Sequence, residues 1–165
     1  MRSRSAGVIV DTHTDRQGDE MSSTARSTGT GVDERRAYQW LALVIGVVYL
    51  LVGIVGFFVT GFDGFTEVDH DQHLLGFAIN PLHNIVHLLI GALGVAMWSR
   101  PSSARTYGWL LAIGYGAASI YGLVVVNNDD ANILNINGAD NVLHIASTVA
   151  GLAIALWPDR GAVRR

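Results

Sequence analysis

Four stretches of the chain run without Asp, Glu, Lys or Arg: residues 37–62, 74–99, 106–128 and 141–158, of 26, 26, 23 and 18 residues. A helix rising 1.5 Å per residue crosses a hydrocarbon core about 30 Å thick with roughly 20 apolar residues. Each run is long enough, the last by borrowing 137–139 at its start. Helices of a soluble bundle carry a charge every turn or so on their wet face, and these carry none. The pattern predicts an all-α, four-transmembrane-helix bundle. Its membrane domain covers 37–158, with spans near 38–60, 80–98, 106–126 and 138–157.

What flanks these runs differs in kind. Residues 1–36 are rich in Ser, Thr, Gly, Asp and Arg with no sustained apolar period, so they are expected to be a disordered tail. They hold no apolar stretch suited to a cleavable signal peptide. The first span then acts as an uncleaved anchor, and Met21 offers an alternative start. Residues 159–165 make a second short tail.

Charge adds a direction. At 15% charged residues against a usual share near 25%, the chain is sparse in charge. The 11 basic residues are all Arg, and they fall before the first run, between the second and third (Arg100, Arg105) and after the fourth. Loops 61–79 and 127–139 have none. The Arg-bearing segments hold 11 Arg and 7 acids, net +4; the opposite side holds the other 7 acids and no Arg, net −7. The positive-inside rule places both termini and the central loop in the cytoplasm, in a multi-pass protein of the cell (plasma) membrane. Trp40, Trp98, Trp109 and Trp157 all fall at the inner ends, as an interfacial belt does. Absence of cysteine removes disulfides, thiolate metal sites and cysteine nucleophiles. No basic stripe asks for nucleic acid. The expected partners are the lipid bilayer, with a second copy of the chain or another membrane protein.

A shift of 57 residues lays the second span over the fourth. Ile79, Asn80, Asn84, His87 and Gly94 then match Ile136, Asn137, Asn141, His144 and Gly151, with His83 replaced by Asp140. Tyr49 with Tyr115 and Gly56 with Gly122 give a looser match of the first and third spans. Two helical hairpins of like orientation, an internal repeat, follow as the expectation. Asn80 and Asn137 suit the N-cap, Pro81 the first helical position, and Asp140 the third, where a carboxylate accepts from free amides. His87 and His144 then lie seven residues inside, about 10 Å deeper.

The strings Asn80-Pro81-Leu82-His83-Asn84-x-x-His87 and Asp140-Asn141-x-x-His144, in a four-span chain with an Arg-flanked central loop, resemble a bacterial membrane family. It is the one described as domain of unknown function 4383, common in high-GC Gram-positive bacteria, and the resemblance covers roughly residues 36–157. It implies a four-helix integral membrane protein and implies no activity.

Three roles compete for the polar set. In the leading one the protein is a non-enzymatic structural or accessory membrane component, with Asn80, Asn84, Asn137, Asn141 and the histidines fixing helix packing at roughly 0.6 kcal/mol per contact. Gly114, Ala118 and Gly122, with Ser147, Gly151 and Ala155, supply small residues for close approach. In the second, His83, His87, Asp140 and His144 bind a metal, zinc or copper(II), since His83/His87 and Asp140/His144 are each one turn apart on a helix face. Alternatively, His87 and His144 serve as axial haem ligands. In the third, the intramembrane histidines mark a proton, ion or small-solute pathway. The loop acids Asp63, Glu67, Asp69, Asp71, Asp129 and Asp130, with His70 and His73, read as a solvated acidic surface that lacks an EF-hand pattern. No nucleophile elbow or phosphate loop is present, so no catalytic residue is assigned.

Overall fold

The computed structural model describes residues 36–69 and 71–158. The tail readings for 1–36 and 159–165 lie outside them, save Arg36, as does His70. The described chain forms four helices: α1 (Ala37–Thr60), α2 (Pro81–Met97), α3 (Pro101–Val125) and α4 (Gly138–Ala155). A hairpin of two-residue strands, β1 (His73–Leu74) and β2 (Phe77–Ala78), interrupts the first long loop. Its turn residues, Leu75 and Gly76, both take positive φ, 56° and 90°. That is the handedness a two-residue hairpin needs to match strand twist. Strands this short leave no alternating pattern in sequence, so none was expected there.

Helix starts are set by local chemistry. The Asn80 side chain accepts from the His83 amide at 2.9 Å, with Pro81 as first helical residue. Asn137 and Asp140 form a reciprocal capping box at 3.0 and 2.9 Å. α3 begins at Pro101, ahead of the predicted 106, because proline has no amide to lose at a helix start. This draws Arg105 into the second turn, where its guanidinium reaches the carbonyls of Ala155 and Trp157 at 3.0 and 2.6 Å. One charge thus closes the orphan carbonyls at the end of α4. Gln39 does the same for α2, donating to the carbonyls of Trp98 and Ser99.

α1 packs chiefly along α2, and α3 along α4, with narrower contacts between the two pairs. Each pair closes on glycine. A Cβ at Gly91 would strike the Leu50 backbone, and one at Gly46 the backbone of Gly94 and Val95. Across the other pair, Gly108 and Gly151 stand in the same mutual contact, and Gly151 also meets Ala112. The sequence reading placed Gly114 in this stripe. It faces outward, with nothing near it, and Gly108 takes the role instead. Gly122, Ser147, Gly151 and Ala155 are buried.

The interior is small, polar and tyrosine-rich: Tyr38, Ala42, Tyr49, Ala104, Tyr107 and Tyr115 lie in the core. Large aliphatic and aromatic side chains point out from all four helices, among them Phe58 (86% exposed), Leu89, Val124 (75%) and Val142. α1 and α3 are each long and apolar enough to cross a membrane, and α2 is apolar but shorter.

Candidate functional site

The two long loops and the first turns of α2 and α4 share one end of the bundle, and asparagine joins them. Asn80 donates to the carbonyls of Glu67 and Ile133 at 3.2 and 2.9 Å. Asn135 donates to those of Asp69 and Ile79 at 3.0 and 2.9 Å. Asn137 reaches the Gly76 carbonyl, and Asn132 brackets the backbone of Ile136. Asn132 and Asn135 were not singled out in the sequence. Their signal was the crowding of Asn127, Asn128, Asn132, Asn135 and Asn137 into one short loop, more than turn chemistry alone requires. Asn135 also takes a positive φ of 52°, which Asn tolerates better than most residues.

Beneath this cap the sequence-predicted polar residues gather. His83, Asp140 and His144 are all buried, and one ligating atom from each lies within 4.8 Å of the others. The offset of 57 explains the mixed set: Asp140 occupies on α4 the place of His83 on α2, while His144 sits one turn deeper. Asp140 Oδ2 accepts from the amides of Asn137 and Ala78 at 2.9 and 3.2 Å. Both bonds use the same oxygen, so Oδ1 remains for a ligand. The Nδ1 atoms of His83 and His144 have no hydrogen-bond partner.

His87 is brought near but falls outside that three-ligand group. Its ring lies 4.5 Å from the His83 ring and 5.2 Å from that of Tyr49, centroid to centroid. His144 contacts Tyr115 at 5.2 Å and His83 at 6.0 Å. His83 therefore touches both candidate haem ligands, a packing that suits a small ion better than a planar macrocycle.

Tyr49 and Tyr115 stack at 5.1 Å, and the Tyr49 hydroxyl bonds to Ser147 Oγ. Ser147 spends its own hydrogen on the Leu143 carbonyl, so Tyr49 must be the donor. The four asparagines read as polar pairs do not bond to one another. Asn80 and Asn137 cap helices; Asn84 donates to Thr60 Oγ1 at 3.0 Å, and Asn141 presses its Oδ1 toward Gly122. Asp69 binds the Asp71 amide within its own loop.

A metal ion suits the inner cluster on chemical grounds. Buried carboxylate needs a counter-charge, and buried imidazole nitrogens need partners. Two imidazoles and one carboxylate match zinc or copper(II). Tetrahedral ligands around zinc stand about 3.3 Å apart, so the cluster would close by small side-chain rotations.

A model of a protein family described as a domain of unknown function matches residues 39–157. Neither the curated proteins nor the solved structures return a match.

Proposed function

The chain belongs to the family described as domain of unknown function 4383, and from that premise we propose a four-span membrane protein that binds a transition-metal ion through His83, Asp140 and His144. The observation carrying this reading is the buried trio within 4.8 Å, with Nδ1 of both histidines unpartnered. Packing alone gives those nitrogens nothing to bond. A cation supplies two acceptors with a partner and the carboxylate with a counter-charge.

The membrane assignment is supported by the inverted arrangement of the bundle. Small and polar residues lie inside and large apolar ones outside on every helix, an exposed surface that water would not tolerate. The Arg distribution orients the spans with both termini cytoplasmic. The metal then lies toward the outer face of the plasma membrane. Two further pairings support the repeat: Gly56 meets Asn84 as Gly122 meets Asn141, and Gln39 caps α2 as Arg105 caps α4.

The test is purification of the full chain in mild detergent, followed by elemental analysis and an absorption spectrum. Near-stoichiometric zinc or copper, lost in both His83→Ala and His144→Ala, supports the reading. Metal at background in the wild type, before and after incubation with zinc, sinks it. A Soret band lost with His87→Ala and His144→Ala would transfer the site to haem.

The second reading, a structural or accessory membrane component, is favoured by the bonds Asn80, Asn84 and Asn137 make between segments. It predicts that variants at these residues lose stability with no change in bound metal. A second copy of the chain or another membrane protein would be its partner, and crosslinking in native membranes would reveal it.

A further inference from the structure

Between α1 and α4, beneath the β1–β2 hairpin, the bundle encloses a cavity of about 370 Å³. It exists because α1 and α4 each pack on their own hairpin partner and meet one another only along a short line. Val48 and Val52 from α1, Leu143 and Ala150 from α4, and Phe77 and Ile79 from above make its walls apolar. A volume of this size lies in the range of small-molecule sites, roughly 300–1,000 Å³.

The polar groups of its lining are few and unequal. Tyr49 and Ser147 satisfy each other. His87 does not share in that bond: it is 2% exposed, it lines the cavity, and neither ring nitrogen has a partner. A neutral imidazole offers one donor and one acceptor, so both are available to whatever fills the space. His87 also stands outside the trio assigned to the metal, and the inference does not rest on that assignment.

The rim residues Val44 and Leu75 are exposed on the outward apolar surface. In a bilayer, entry is therefore lateral, from lipid. A charged head group would be stripped of water at the depth of His87, about 10 Å below Asn80. A plain acyl chain would cover the walls and leave both imidazole nitrogens unpaired. A flat ring with an oxygen at its edge fills the width between the helices, lies against the Tyr49 face and reaches His87.

We propose that this cavity binds a neutral, lipid-soluble ring bearing a hydrogen-bonding oxygen, of the quinone or phenol class, with that oxygen on the His87 imidazole and its alkyl tail leaving between α1 and α4.

The full chain in mild detergent is titrated with a decyl-substituted benzoquinone and, separately, with decane, following saturable binding by equilibrium dialysis and the shift in thermal midpoint. One equivalent of the quinone binds and raises the midpoint, while decane does neither. His87→Leu weakens binding tenfold or more. Ala150→Phe, which fills the cavity without touching His87, abolishes it with helicity, monodispersity and metal content unchanged. No saturable quinone binding, decane binding as tightly as the quinone, or full affinity retained in either variant overturns the proposal. If His87→Leu fails to fold, Ala150→Phe decides alone.

Discussion

Asn141 occupies the space a side chain on Gly122 would need: a Cβ there would overlap the Asn141 amide oxygen. Gly56 stands in the same relation to Asn84, whose amide also binds Thr60. Overpacking of this kind costs about 1–3 kcal/mol, more than the ~1 kcal/mol an alanine returns in helix propensity. Gly56→Ala and Gly122→Ala should therefore lower the thermal midpoint in detergent. Gly114→Ala, with open space around it, should leave the midpoint unchanged or raise it. Equal effects at all three positions would refute the close-approach explanation.

Arg105 closes the end of α4 with two carbonyl bonds and also lies over the Tyr38 ring at 5.0 Å. Hydrogen bonds from a charged group are worth about 1.5–3 kcal/mol, so Arg105→Ala should cost that order of stability. Lysine is a point charge without the planar fork, and Arg105→Lys should recover less than half of the loss. Urea or thermal unfolding of the three proteins in one detergent measures this; full recovery by lysine would show that charge alone matters.

The helices were legible because charge-free runs and Asn-Pro or Asn-x-x-Asp starts are local signals that need no knowledge of the fold. The offset of 57 also brought His83, Asp140 and His144 to notice before any geometry. What could not be read was which small residue faces which. Gly108 and Gly114 look alike in sequence, and six residues apart on a helix they point in different directions; only the placement of α4 decides between them. The cap of Asn132 and Asn135 was hidden for a related reason. Their partners, Ile136, Asp69 and Ile79, offer backbone carbonyls or amides, and backbone partners leave no mark in side-chain pattern. His87 was grouped with the metal set because one-turn spacing shows that two side chains share a face, without showing which way each ring turns.

Asn135 ties the two long loops together from a left-handed backbone position. Two effects can be separated there. Asn135→Gly keeps the backbone comfortable and removes the amide, exposing two carbonyls to loss of their donor, at about 1–3 kcal/mol. Asn135→Ala removes the amide and adds roughly 1–2 kcal/mol of left-handed strain. Alanine should thus be the worse of the two, and amide hydrogen exchange in 61–79 should accelerate in both. A glycine variant as protected as wild type would show that the tie contributes nothing.

Asp140 serves two ends at once, and an isosteric change divides them. The asparagine of Asp140→Asn still offers an oxygen to the amides of Asn137 and Ala78, now bonded to Asp140 at 2.9 and 3.2 Å. The capping function should largely survive, with the metal-free protein losing no more than about 1 kcal/mol. The charge does not survive, and metal affinity should fall by a factor of 10 or more. Acidification adds a second discrimination, because metal binding requires neutral imidazoles and an ionised carboxylate. Affinity therefore falls as pH is lowered, by about tenfold per pH unit for each ligand protonated in the free protein. The wild type has three such ligands and Asp140→Asn two, so the variant's loss of affinity with falling pH should be shallower by one proton at the acid end. Competition titrations with a zinc indicator across a pH series measure both quantities. An Asp140→Asn variant with wild-type affinity and the same pH slope would remove Asp140 from the site.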